Sequence, residues 1–177
     1  MSHINVEIKA RCADIDFVRN YLLHQGAEFK GTDIQTDTYF NVENGRLKLR
    51  EGNIENNLIY YKRVNLSGPR ESQFQLLKIP EPLLLKEMLT QSIGVRVVIK
   101  KKREIYYIQN VKFHIDEVPG IGNFVEIEAG NLLADLNKMQ LQEQCDFYLN
   151  ELNIHQEDLV AESYSDMLLE KQGINEG

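Results

Sequence analysis

Cysteine is scarce in this chain. Cys12 and Cys145 stand far apart, with no CxxC pair or histidine-rich spacing around them. They support neither a zinc site nor a disulfide framework, and they suit a reducing cytoplasm. Long apolar runs are missing too, since none approaches the roughly 18 residues that a membrane span needs. The first ten residues, MSHINVEIKA, lack the basic start and apolar stretch of a secretory leader. Excess positive charge is also absent: 20 Lys and Arg stand against 27 Asp and Glu, for a net charge of −7. That balance argues against nucleic-acid binding driven by charge. A cytoplasmic protein without a membrane or nucleic-acid partner is expected. Its 177 residues, 42% apolar and 27% charged, are enough to bury a sizeable core in one domain.

Residues 4–12 alternate, with Val6, Ile8 and Ala10 on one face and Asn5, Glu7, Lys9 and Arg11 on the other; a period of two predicts a strand. Residues 14–26 change period. Phe17, Val18, Tyr21 and Leu22 recur at helical spacing between Asp14, a suitable N-cap, and Gly26, a helix stop. Four strands are predicted next, over 34–41, 45–50, 57–64 and 70–79, divided by turn residues at 43–45 and 67–69. Pro80 and Pro82 end that series, and a short helix over 83–91 stops before Gly94. Strands over 95–108, 111–116 and 123–129 follow, and helices over 132–152 and 157–171 close the chain. This order predicts an α+β fold around an antiparallel sheet. It forms one domain over 1–171, with C-terminal helices within 131–171 and a frayed tail at 172–177.

Charge is segregated by strand face. Arg46, Lys48 and Arg50 oppose Leu47 and Leu49; Lys112, His114 and Asp116 oppose Val111, Phe113 and Ile115; Glu126 and Glu128 oppose Val125, Ile127 and Ala129. One such strand is the ordinary solvated face of an antiparallel sheet. Four of them, one purely basic and one purely acidic, suggest a barrel with its apolar faces turned out onto helices. Unpaired charges inside a dry barrel would cost several kcal/mol each. The arrangement becomes sensible if the interior holds a highly charged ligand: basic groups suit a polyphosphate, and clustered carboxylates suit a divalent cation.

Several fragments, in order, resemble the CYTH group of triphosphate tunnel enzymes. They are Val6-Glu7-Ile8-Lys9-Ala10-Arg11, Asp37-Thr38-Tyr39-Phe40, Gly45-Arg46-Leu47-Lys48-Leu49-Arg50, Tyr61-Lys62-Arg63, Lys101-x-Arg103, the Asp116 to Gly122 run, and Val125-Glu126-Ile127-Glu128. The resemblance covers residues 4–168 and is greatest to class IV adenylate cyclase-like proteins. It implies an eight-stranded antiparallel β-barrel with a central tunnel, flanking and C-terminal helices, and Mg²⁺ or Mn²⁺ as cofactor. It further implies Lys9 and Lys101 as catalytic lysines. Lys9, Arg11, Lys48, Arg50, Lys62, Arg70, Lys101 and Arg103 would contact the triphosphate. Of the neighbours Lys62 and Arg63 only one can point inward, and Lys62 is preferred. Glu7, Asp116, Glu126 and Glu128 would hold the metal, with Asn5 a further candidate where the family carries a carboxylate. The acidic alternation that often follows Arg70 is missing, since Ser72, Gln73, Phe74 and Gln75 stand there.

Three functions remain open at this level. A cyclase would turn ATP into cyclic AMP and pyrophosphate; a triphosphatase would hydrolyse tripolyphosphate, thiamine triphosphate or a nucleoside triphosphate; a binding module would hold such a ligand unchanged. The cyclase ranks first by resemblance. A triphosphate-containing small molecule is the expected partner, with a homodimer also open. His114 reads as a hydrogen-bonded wall residue and Tyr39 as packing.

Overall fold

The computed structural model describes residues 5–62, 70–131 and 135–173, with the backbone alone for 70–74. The eight strands are β1 (Asn5–Arg11), β2 (Glu28–Phe40), β3 (Arg46–Glu51), β4 (Asn57–Lys62), β5 (Arg70–Lys78), β6 (Val95–Ile108), β7 (Val111–Val118) and β8 (Gly122–Gly130). The helices are α1 (Ile15–His24), α2 (Pro82–Ile93), α3 (Lys138–Glu151) and α4 (Tyr164–Lys171). All strand pairs are antiparallel, and they close a barrel in the order β1-β5-β4-β3-β2-β6-β7-β8. Among the described residues, the β1–β5 seam carries the pairs Asn5–Ser72, Val6–Glu71 and Glu7–Arg70.

The fold class and the element order agree with the expectation from sequence, while several boundaries shift. β2 starts six residues earlier than predicted (28 against 34). Gly31, at φ +127°, sits where the β2–β6 register jumps between Phe29 and Gly31, and this bulge interrupts the alternation that marks a strand. The C-terminal helices are shorter than predicted. Asn137 accepts from the Gln140 amide while the Gln140 side chain accepts from the Asn137 amide, so α3 begins only at 138. Ser163 and Asp166 form the same box at the start of α4. Between the two helices, Leu159 bridges Ala10 and the Val160 amide donates to the Lys9 carbonyl at 2.9 Å, so the chain runs extended beside β1. The predicted turn at 67–69 lies outside the described residues.

The outward faces of β1, β7 and β8 are apolar and covered. Val6, Ile8, Phe113, Ile115, Val125 and Ile127 pack with Val18 and Leu22 of α1 and Leu141 and Cys145 of α3 in one buried cluster. A second cluster corrects the view that the whole interior is charged. Tyr39, Ile59, Tyr61, Val97 and Ile99 pack with Tyr164 and Leu169 of α4. One end of the barrel is therefore an apolar plug built around a helix, and the charged groups occupy the remainder.

The opposite end is organised by Asp33, which is fully buried. Its carboxylate accepts from the Ile54 amide at 2.9 Å, from the Glu55 amide at 3.0 Å, and from Gln35 Nε2 at 2.7 Å. The β3–β4 loop is thereby fixed across the end of the barrel. The contact leaves no space for a side chain at Gly52, where a Cβ would stand 2.5 Å from Asp33 Oδ1. Gly52→Ala is expected to destabilise the fold by about 1–3 kcal/mol through overpacking. Urea denaturation measures this, and an unchanged midpoint would show that Asp33 does not hold the loop.

Candidate functional site

The barrel interior holds a half-open cavity of about 190 Å³. Strand alternation delivers its lining: Glu7 and Lys9 from β1, Lys48 and Arg50 from β3, Lys101 and Arg103 from β6, Lys112 and His114 from β7, and Glu126 and Glu128 from β8. Six cations thus share one small space with Glu7, Glu55, Glu126 and Glu128. Two aspartates buried at the wall organise the cations. Asp37 accepts from Arg50 Nε at 2.9 Å and Nη2 at 3.0 Å, from Lys48 Nζ at 3.0 Å and from Lys101 Nζ at 3.1 Å. Asp116 accepts from Arg103 Nε at 2.7 Å and Nη2 at 2.6 Å, and from the Tyr164 hydroxyl at 2.7 Å.

These contacts set the protonation states. Burial alone would raise Asp37, but Arg50, Lys101 and Lys48 hold it well below the ordinary carboxylate range. Lys101 goes the other way. Burial first, and then the Arg50 guanidinium, pull its ammonium well below the usual lysine range, because one Asp37 carboxylate is divided among three cations. Burial, aided by Arg103 and Lys112, pushes His114 down to about 4, so its imidazole is neutral at pH 7. Its Nδ1 lies 3.3 Å from Glu126 Oε1, as expected of a wall residue.

The acidic groups divide into two kinds. Burial would raise Glu126, yet Arg103, His114 and Lys9 hold it well below the usual range; its Oε2 lies 3.7 Å from Lys9 Nζ and 3.9 Å from Arg103 Nη2. Glu128 stands directly opposite Glu7 in the β1–β8 ladder. Like charges so placed repel. Burial, joined by Glu7 and Glu126, outweighs the relief from Lys112 and Arg103 and pushes the Glu128 carboxyl up to about 7. Asn5 Nδ2 donates to Glu128 Oε1 at 2.7 Å.

Most of the residues singled out in the sequence converge here, and the placements of Lys62, Arg11 and Asp116 differ. Lys62 is exposed, because β4 turns Asn57, Ile59 and Tyr61 inward; its neighbour Arg63 lies outside the described residues. Arg11 is exposed at the barrel end, where Nη1 donates to the Ile121 carbonyl at 3.2 Å. Asp116 points inward but is spent on Arg103 and Tyr164, and it does not line the cavity. Arg70 stands opposite Glu7 in the β1–β5 ladder, and only its backbone is described. Sequence reasoning also missed Glu55 and Tyr164. Neither lies on a predicted alternating strand, so no periodic signal marked them. Lys9 Nζ sits 4.1 Å over the Tyr164 ring.

A family model described as the CYTH domain matches residues 3–164, and the chain belongs to that family. A protein of Methanocaldococcus jannaschii that bears the name of a candidate adenylate cyclase is 28% identical, over 93% of this chain and 98% of its own. Among solved structures, a Pyrococcus horikoshii protein superposes with a TM-score of 0.77 at 22% identity, over 92% of this chain and 98% of its own. A Hippeastrum protein, described as a candidate adenylyl cyclase with a dominant triphosphatase activity, superposes with a TM-score of 0.63 at 15% identity, over 98% of this chain and 97% of its own. At these identities the two structures show the shared fold alone.

Among the described residues, no three His, Cys, Asp or Glu side chains are arranged to hold a metal ion. A divalent cation that keeps several waters and takes one or two carboxylates plus substrate phosphates needs no such cage. Glu7 and Glu128 offer hard oxygen donors opposite each other, and the raised Glu128 carboxyl marks a place short of positive charge. The donor set fits such a cation. A carboxyl whose folded pKa lies above its unfolded value stabilises the fold at low pH, and that contribution is lost as the pH rises through the folded pKa. Chelator-treated protein is thus expected to lose melting temperature between about pH 4.5 and about pH 7 through Glu128. In Glu128→Gln that part of the slope should vanish. Parallel curves for the two proteins would show that Glu128 is ionised throughout.

Proposed function

We propose that the cavity binds the triphosphate of a small molecule and cleaves one of its phosphorus–oxygen bonds, with water as the acceptor. The observation that carries this reading is the gathering of Lys9, Lys48, Arg50, Lys101, Arg103 and Lys112 on one cavity inside the barrel. Adenylate cyclisation is the second reading. It is favoured by the name of the M. jannaschii relative and by the aromatic wall of Tyr39 and Tyr61, against which a base could lie.

In the proposed reaction Lys48, Arg50 and Arg103 bind the phosphate oxygens, aimed by the aspartates behind them. Glu7 and Glu128 would hold Mg²⁺ or Mn²⁺, which when bound would offset negative charge on the phosphates. Lys101, whose burial favours the neutral amine, accepts a proton from water. The water oxygen attacks the terminal phosphorus, the bond from that phosphorus to the bridging oxygen breaks, and the shortened phosphate leaves. Lys9, beside Tyr164 and Glu126, orients the same chain from the β1 side.

The test is to incubate purified protein and Mg²⁺ or Mn²⁺ with tripolyphosphate, thiamine triphosphate or ATP, then separate the products. Orthophosphate is expected. Cyclic AMP with pyrophosphate would select the second reading, and absence of product from every substrate would contradict both. Lys101→Met should lower turnover by about two to four orders of magnitude while weakening binding far less. Asp37 keeps Arg50 and Lys48 in that variant, so the fold should survive. Wild-type turnover in Lys101→Met would remove this lysine from the chemistry.

A further inference from the structure

Glu55 is the one lining residue carried by the β3–β4 loop, and its position is not accidental. Asp33 fixes the backbone amides of Ile54 and Glu55, so the side chain enters the barrel from an anchored loop. Glu55 Oε2 accepts from Arg50 Nη1 at 3.0 Å and from Gln35 Nε2 at 3.1 Å, while Oε1 accepts from Lys112 Nζ at 3.0 Å. Both oxygens thus sit on donors of the kind that bind phosphate. The two ends of the cavity are distinguished by β3. At its start, Arg46 donates to Asp166 of α4 at 3.0 Å; at its finish, Arg50 meets Glu55. The helix stands at one end and this carboxylate at the other.

We infer that Glu55 is a built-in anion that ends the basic track, occupying the place a further phosphate would take and so limiting the length of phosphate chain the site accepts. The inference rests on the triphosphate reading given above. It assigns to a loop residue the discrimination between tripolyphosphate and longer chains. The track offers Arg50 and Lys112 to a ligand only in competition with Glu55. Replacing the carboxylate with an amide of the same shape removes the competing charge but keeps an acceptor for Gln35. The loop should keep its place, because Asp33 holds the backbone and not the Glu55 side chain.

The experiment is calorimetric titration of wild-type protein and Glu55→Gln with tripolyphosphate and with tetrapolyphosphate. The folded state of each protein is checked by its melting temperature. Wild-type protein should bind tripolyphosphate at least as tightly as the longer chain. In Glu55→Gln both affinities should rise, tetrapolyphosphate by about tenfold to a hundredfold and more than tripolyphosphate, so that the ratio turns toward the longer chain. If wild-type protein binds tripolyphosphate and the variant shows the same ratio or weaker binding, Glu55 positions Arg50 and Lys112 instead, and the inference is overturned. If neither protein binds either chain, the triphosphate reading fails and the inference with it. Binding by the variant alone would uphold the blocking role.

Discussion

Everything in the cavity depends on one buried carboxylate. Asp37 lies on β2 with 1% of its surface exposed, and it accepts hydrogen bonds from three cations on two neighbouring strands, Lys48 and Arg50 from β3 and Lys101 from β6. Without it, three positive charges would share a dry wall. With it, each long side chain is held in one orientation before any ligand arrives, which reduces the entropy a ligand must remove. The arrangement also leaves unmet positive charge. A single carboxylate cannot neutralise three cations, and the strain falls on Lys101, the more deeply buried of the two lysines. Arg103 is held in the same way by Asp116, which also accepts from the Tyr164 hydroxyl.

The acidic side of the barrel follows complementary logic. The β1–β8 register sets Lys9 opposite Glu126 but Glu7 opposite Glu128, so one cross-strand pair is attractive and the next repulsive. Glu126 is paired with Lys9 and Arg103, whereas Glu128 accepts from the neutral Asn5 amide and faces Glu7. A ligand that brings both phosphate and a divalent cation answers the two imbalances together, filling the cation-rich wall and the carboxylate pair. Neither alone answers both. Under the proposed function a triphosphate and its metal would bind as one unit, and their charges of both signs match those of the barrel.

Strand alternation made much of this legible. The faces of β1, β3, β7 and β8 could be read from charge alone, and they place Glu7, Lys9, Lys48, Arg50, Glu126 and Glu128 where the structure has them. The same rule failed on β4, because its inward residues Asn57, Ile59 and Tyr61 are mostly apolar and its lysine points to solvent. Charge marks the inside only where the inside is charged, and the end capped by α4 is not. The first half of β2 was hidden by the bulge at Gly31, and with it Asp33. Glu55 had no legible signal, since its place depends on a contact between its loop and Asp33, more than twenty residues upstream in the chain. Asp116 was correctly assigned to the inner face, but its partners Arg103 and Tyr164 become visible only once β6 and α4 are brought together.

The central claim is that the cations gathered around Asp37 are a phosphate site. A crystal structure of the protein with tripolyphosphate and Mg²⁺ tests it most directly. The account expects phosphate oxygens within hydrogen-bonding distance of Lys48, Arg50 and Arg103, with Asp37 still in place behind them and the cation between the ligand and the Glu7–Glu128 pair. Tripolyphosphate bound on the outer surface, with the internal ion pairs undisturbed, would contradict it.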